Sequence, residues 1–289
     1  MMERIPYRWP VLPQYDLSER GVISMHIPPG VDRQNPQQLR DYGRHCPADW
    51  YTPSEHPELM AAIQKIKPDD RDSALAFVHT WGLLGRDHLV SLQDCEGGDP
   101  LWWIWAHART IHWCLEATHA LKTGDDGEIP LPGPDDEPFP VAVQGRVQDL
   151  GWEVWDPRIP ASRQIALREL LGNIVNQNIS GMRRVLRADK TGNVQSYFVF
   201  SALIEMIYWH LADKIGGGQI HQCEADDCEA FFFQRDPRQR FCLPEPGKNE
   251  SACSRRQRMR KYRRDPQRRE KERRLERDRY RRSRQQTQP

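Results

Sequence analysis

No apolar run in this 289-residue chain is long enough to cross a bilayer comfortably. The longest, YFVFSALIEMIYWHL at 197–211, is interrupted by Glu205. The opening MMERIPYRWPVLPQY has no apolar core of the kind that secretory leaders carry. These two absences predict a cytoplasmic protein with no membrane partner. Also missing are a nucleophile elbow, a dinucleotide fingerprint and a zinc-protease His pair. The GLLG stretch at 82–85 lacks the Lys-Ser/Thr of a phosphate loop, and its small residues suit close helix packing. With no catalytic residue to name, an enzyme is not expected.

Apolar residues are scarce as well, at 38% against 29% charged, with a mean hydropathy of −0.81. Part of the chain is therefore expected to be solvated. The net charge of +1 conceals an uneven distribution. Residues 1–215 carry 21 Lys/Arg against 29 Asp/Glu, a balance of −8, while residues 216–289 carry 21 against 12, or +9. From residue 251 onward, 17 basic residues face 5 acidic ones. Such one-signed excess points to a polyanionic partner for the carboxyl-terminal end.

Three divisions follow: a mainly helical domain over 1–215, a cysteine-rich module over 216–265 and a basic tail over 266–289. Up to residue 50 the chain is rich in Pro and polar residues, with one strand-like run, GVISMHI at 21–27. Ser54 is placed to cap a helix through EHPELMAAIQKI, and helical periodicity continues over 72–94 despite Gly82 and Gly85. Residues 99–124 start on Asp-Pro and stop at Gly124, the usual asymmetry of helix ends. Trp102, Trp103 and Trp105 lie on nearly all sides of this stretch, which predicts a buried helix. A Pro/Gly/Asp-rich loop is expected at 123–140, then helices over 161–189 and roughly 195–215, with a short hairpin around Thr191-Gly192-Asn193 between them. Gly216-Gly217-Gly218 forms a hinge into the cysteines.

The stretch CEADDCEAFFFQRDPRQRFCLPEPGKNESAC, 223–253, holds four of the chain's 7 cysteines. Reduced thiols this close favour metal over disulfides, and zinc takes four thiolates in a closed tetrahedral site. Cys223 and Cys228 sit on one tight knuckle, turned at Asp226-Asp227. AFFFQ and RQRFC read as two strand-like arms that return Cys242 to it, and NESACSRRQRMRKYRRD as a helix with Cys253 in its first turn. Knuckle, hairpin and ligand-bearing helix are the order of a treble-clef zinc finger, with Ala252, Met259 and Tyr262 forming an apolar stripe against the hairpin. The fold class expected is mainly α with a small β component.

The segment from LRELLGNIVNQN through CEADDCEAFFFQRDPRQRFC resembles the carboxyl-terminal half of CGNR-type zinc-finger proteins with an ABATE-like amino-terminal region. The likeness lies in the helix entering the finger, Cys-x4-Cys, the aromatic Phe231, an Arg before the third cysteine and a basic helix after the fourth. Where that family has Cys-Gly-Asn-Arg, this chain has Cys253-Ser254-Arg255-Arg256. The resemblance implies a bacterial DNA-binding transcription regulator whose zinc ligands are Cys223, Cys228, Cys242 and Cys253.

The run SRRQRMRKYRR, 254–264, supplies the cations for such a role. Guanidinium groups hold phosphate with paired donors, and neutralising phosphates gives affinity with little sequence preference. The candidate nucleic-acid contacts are Arg255, Arg256, Arg258, Arg260, Lys261, Arg263 and Arg264 on the helix, with Arg235, Arg238 and Arg240 on the preceding arms. The alternative partner is an acidic protein or an RNA particle, which would make the chain an interaction adaptor. A small-molecule effector and a homo-oligomer are assigned to the helical domain. His112, Glu116 and His119 share a helix face, a metal-capable set whose Trp-rich setting favours plain packing. Cys46, Cys95 and Cys114 have no partner by spacing.

Overall fold

The computed structural model of the chain describes residues 9–26, 30–31, 38, 48–56, 58–86, 98–124, 139–143, 146–150, 163–188, 194–217, 220–234, 236–244, 248–264, 270, 274 and 277. The chain divides into two compact units, Met1–Ile220 and His221–Pro289.

The first unit opens with short antiparallel strands. β1 (Trp9–Val11) pairs with β4 (Asp49–Tyr51), and β2 (Tyr15–Leu17) pairs with β3 (Val22–Met25), which also pairs with β5 (Gly98–Pro100). A 3-10 turn at Pro53–Glu55 precedes α1 (Glu58–Ile63), so Ser54 lies inside that turn rather than at a cap. α2 (Arg71–Trp81) is capped by Asp70, whose carboxylate accepts from the backbone N–H groups of Asp72 at 3.1 Å and Ser73 at 3.3 Å.

The helix expected over 72–94 ends at Trp81. Gly82 follows with φ of +83°, where a Cβ would lie 2.5 Å from the Pro10 carbonyl oxygen. The loop after it is pinned from β5. Asp99, 1% exposed, accepts from the backbone N–H groups of Leu84, of Gly85 at 3.2 Å and of Arg86 at 2.7 Å. Residues 87–97 lie outside the described residues, as do the hairpin turn expected at 191–193, Cys46 and Cys95.

α3 (Leu101–Thr123) ends on Gly124 in the left-handed conformation, as its sequence predicts. It is buried on most sides but not all: Trp103 is fully buried, whereas Trp102 is 53% exposed. β6 (Phe139–Val143) and β7 (Arg146–Leu150) form an antiparallel pair. α4 (Arg163–Asn178) and α5 (Leu203–Gly216) complete the core, and α4 packs on both α3 and α5. Ile104, Ile111 and Leu115 of α3, Leu167 and Ile174 of α4, and Leu203 and Ile207 of α5 are all buried. Each such side chain contributes about 1.5–3 kcal/mol relative to exposure. Among them His107 shares a hydrogen bond of 3.1 Å between Nδ1 and the Tyr208 hydroxyl. Its burial brings the imidazole down to about 3, so it packs as a neutral ring.

The helix expected over 161–189 stops at Asn178, and β8 (Arg183–Ala188) then pairs with β9 (Val194–Val199). The cause is local. Ser180-Gly181 breaks the helix, and the Glu205 carboxyl fills the space that a Cβ at position 181 would need.

The expected fold class needs correction on two points. The described residues form six α-helices and several small antiparallel sheets, so they mix helix with sheet rather than being mainly α. A treble-clef hairpin between AFFFQ and RQRFC is also not what forms. β11 (Phe231–Phe233) pairs with β10 (Ile220–Gln222), which precedes the first cysteine, and 236–244 contains no strand among its described residues. α6 (Ala252–Arg264) follows as expected. No helix among the described residues is long and apolar enough to cross a membrane.

Candidate metal centre

Short hydrogen-bonded devices bring the cysteines together. Cys223 leaves β10 with its N–H donating to the Ala230 carbonyl at 3.0 Å, which closes the knuckle across its base. Within it the Cys228 N–H donates to the Ala225 carbonyl at 2.9 Å, turning the chain at Asp226-Asp227. The loop beyond β11 is held by its own polar groups: the Arg238 N–H donates to the Asp236 carboxylate at 2.8 Å, and the Gln234 amide reaches the carbonyls of Pro237 and Gln239, each at 3.2 Å. That loop is stitched back to the knuckle by the Glu224 N–H donating to the Arg240 carbonyl at 3.0 Å, which delivers Cys242. Lastly, buried Ser251 caps α6, its hydroxyl accepting from the Ser254 N–H at 3.1 Å, and this sets Cys253 in the first turn.

All four sulfur atoms lie within 4.8 Å of one another, with Cys228 and Cys242 at 3.5 Å. A disulfide needs about 2.05 Å between sulfurs. A tetrahedral ion with metal–sulfur bonds of about 2.3 Å places its sulfurs about 3.8 Å apart. The cluster therefore has the dimensions of a four-thiolate metal site. Among the described residues it is the group of His, Cys, Asp and Glu side chains that gathers round one point. His112 instead pairs with Glu116 at 3.2 Å, and Cys114 is a buried core thiol.

A small apolar core surrounds the thiols. Cys223, Ala225, Phe232 and Cys253 are buried together, with Cys228, Phe241 and Cys242 packed against them. Burial pushes the Cys228 and Cys242 thiols up. It acts the same way on Cys253, but there the Arg256 guanidinium, 3.3 Å from Sγ, and the neighbouring thiols bring it below its ordinary value. Cys253 also lies at a helix start, where the dipole favours negative charge. A cation placed between the four sulfurs would favour their thiolate forms against this burial.

Cys253 sets the rotation of α6. Its side chain points at the cluster, so Gln257 and Arg260, four and seven residues on, share the partly buried side. Of the stripe expected through Ala252, Met259 and Tyr262, the first two are turned outward, Ala252 being exposed and Met259 42% exposed, while Tyr262 is half-buried.

The candidate phosphate-binding cations fall into two groups. Arg256 pairs with Asp227 at 3.0 Å, and Arg260 reaches both Asp226 and Asp227 at 3.3 Å. Arg258 pairs with Glu250 at 2.8 Å and Arg240 with Glu224 at 3.6 Å. Arg238, Arg255, Lys261, Arg263 and Arg264 are exposed and make no ion pair among the described residues. Arg235 lies outside the described residues. By sequence, Asp226 and Asp227 are expected only to form a turn. Their place beside four cysteines and opposite an arginine-rich helix was the signal for a bracing role. Flanking Met259, the side chains of Arg255, Arg256, Arg260 and Arg263 line a shallow recess of about 330 Å3.

No protein-family model, curated protein or solved structure matches this chain.

Proposed function

We propose that the second unit is a zinc-stabilised nucleic-acid-binding module, acting on DNA in a bacterial transcription regulator distantly related to the CGNR-type proteins. Zinc suits a closed set of four thiolates better than the harder divalent ions, which prefer oxygen. Bound there, it supplies a structural cross-link between knuckle, loop and helix, with no open position for chemistry. In this reading the chain is not an enzyme.

The observation that carries the nucleic-acid assignment is the division among the cations. Arg256 and Arg260 are occupied by the knuckle acids, while Arg255, Lys261, Arg263 and Arg264 extend from the same helix into solvent without a counter-ion among the described residues. Cations of one sign on a rigid, metal-braced helix release counterions when they meet phosphates.

Fluorescence titration of a labelled DNA duplex at several salt concentrations tests the assignment. Wild type should bind with a steep salt dependence, and the Lys261→Ala/Arg264→Ala double variant should weaken binding to all sequences alike. Equal binding by both proteins, or by neither, overturns it. Capture of an acidic protein with no affinity for nucleic acid would transfer the same cations to an adaptor role.

A further inference from the structure

α6 is 13 residues long, about 20 Å, and holds no acidic residue. Its outward face sets a large apolar side chain among cations. Met259 is exposed and lines the recess of about 330 Å3 together with Arg255, Arg256, Arg260 and Arg263. The apolar core around the thiols does not use it, being built round Cys223, Ala225, Phe232 and Cys253. A lone exposed methionine is ordinary on a protein surface. What distinguishes Met259 is its place among four guanidinium groups.

Helical spacing gives that place a shape. Arg255 and Arg263, four residues before and after Met259, lie about 40° to either side of it round the axis. Both are exposed and make no ion pair among the described residues. Ala252, also exposed, falls within about 20° of Met259 and has too short a side chain to hold the helix off a partner. A B-DNA major groove, about 12 Å wide, admits one α-helix, and the apolar group it displays is the thymine 5-methyl. The minor groove displays no such group.

We propose that α6 enters the major groove with this face inward, Met259 packing on a thymine 5-methyl and Arg255 and Arg263 reaching the phosphates that flank it. The inference rests on the nucleic-acid reading above and adds to it the recognition of one base. Guanidinium groups on phosphates give affinity with little sequence preference, whereas an apolar contact on the groove floor discriminates. Taking one methyl-sized group out of water corresponds to about fourfold in affinity.

Fluorescence titration of the full chain with two labelled duplexes tests the proposal. One has alternating adenine and thymine, and the other replaces every thymine by uracil, which removes only the 5-methyl. Wild type should bind the thymine duplex about fourfold more tightly. Met259→Ala should bind both duplexes alike, close to the wild-type affinity for the uracil duplex, with an unchanged salt dependence because no phosphate contact is lost. Met259→Leu, which keeps an apolar side chain of similar size, should retain the preference. Equal wild-type affinity for the two duplexes, or a preference that survives in Met259→Ala, overturns the major-groove contact while leaving phosphate binding intact. Failure of wild type to bind either duplex overturns both this inference and the reading on which it rests.

Discussion

Arg260 and Arg263 lie three residues apart on α6, and their environments predict opposite consequences for the same substitution. Arg260 makes two ion pairs, with Asp226 and Asp227, both at 3.3 Å. All three groups are more than a third exposed, so solvent screens each pair to about 0.2–1 kcal/mol. Arg260→Ala should therefore cost the second unit about 1 kcal/mol. Metal binding and folding are one equilibrium in a module of this kind, so metal affinity should fall about fivefold. Arg263 has no ion pair among the described residues, and Arg263→Ala should leave metal affinity unchanged. It should instead alter the salt dependence of DNA binding. If the five unoccupied cations each meet one phosphate, the slope of log affinity against log salt is about −4.5, a loss of about 500-fold between 50 and 200 mM. Removing one contact brings the slope to about −3.6. Chelator competition measures the first quantity and salt titration the second. A variant pair in which Arg260→Ala lowers the slope while metal affinity is untouched would refute the sorting of these arginines.

Removing the metal with a strong chelator should abolish the ellipticity of the 13-residue α6 while α1–α5 persist, and Cys228→Ser should do the same; loss of all helix in one step would show a single cooperative core. Asp99→Ala strands three backbone N–H groups, at about 1–3 kcal/mol each, and should lower the thermal midpoint of the first unit by about 10 °C; a shift under about 2 °C would remove Asp99 from the role of loop anchor. Glu205 is fully buried, and burial raises its carboxyl above the ordinary 4.5, opposed by the backbone N–H groups of Ser201 and Ala202. The folded chain thus holds this proton more tightly than the unfolded chain, so the group's contribution is full below pH 4.5 and is lost as pH rises through the folded value. Denaturant titrations from pH 4 to pH 7 should show wild type losing stability relative to Glu205→Gln, and parallel profiles would contradict the burial argument.

The cysteine cluster was legible because cysteine spacing and turn chemistry are local properties. Cys223, Cys228, Cys242 and Cys253 were recoverable from the sequence, as were the ends of α3 and the start of α6 near Cys253. The orientation of α6 was not. An apolar stripe through Met259 and Tyr262 competes with the demand that Cys253 face the cluster, and the cluster prevails because it fixes one side chain absolutely. Nor was the pairing of β11 legible: Phe231–Phe233 is equally suited to either neighbour, and it pairs with β10, beside the hydrogen bond from the Cys223 N–H to the Ala230 carbonyl. The misread helix over 161–189 has a similar origin: Gly181 ends it because Glu205, more than twenty residues away, needs the space.

Because Cys253 points at the other three sulfurs, the thiol cluster acts as an angular reference for everything that follows on α6. A residue inserted between Cys253 and Arg256 would turn every later side chain by about 100° about the helix axis. Arg260 would leave its acids, and the outward set of cations would be replaced by another. Substitutions at Arg255 or Arg263 change a single position on the outer face without disturbing that reference. The outer face of the helix is thus open to variation one residue at a time, whereas its phase is tied to the thiols.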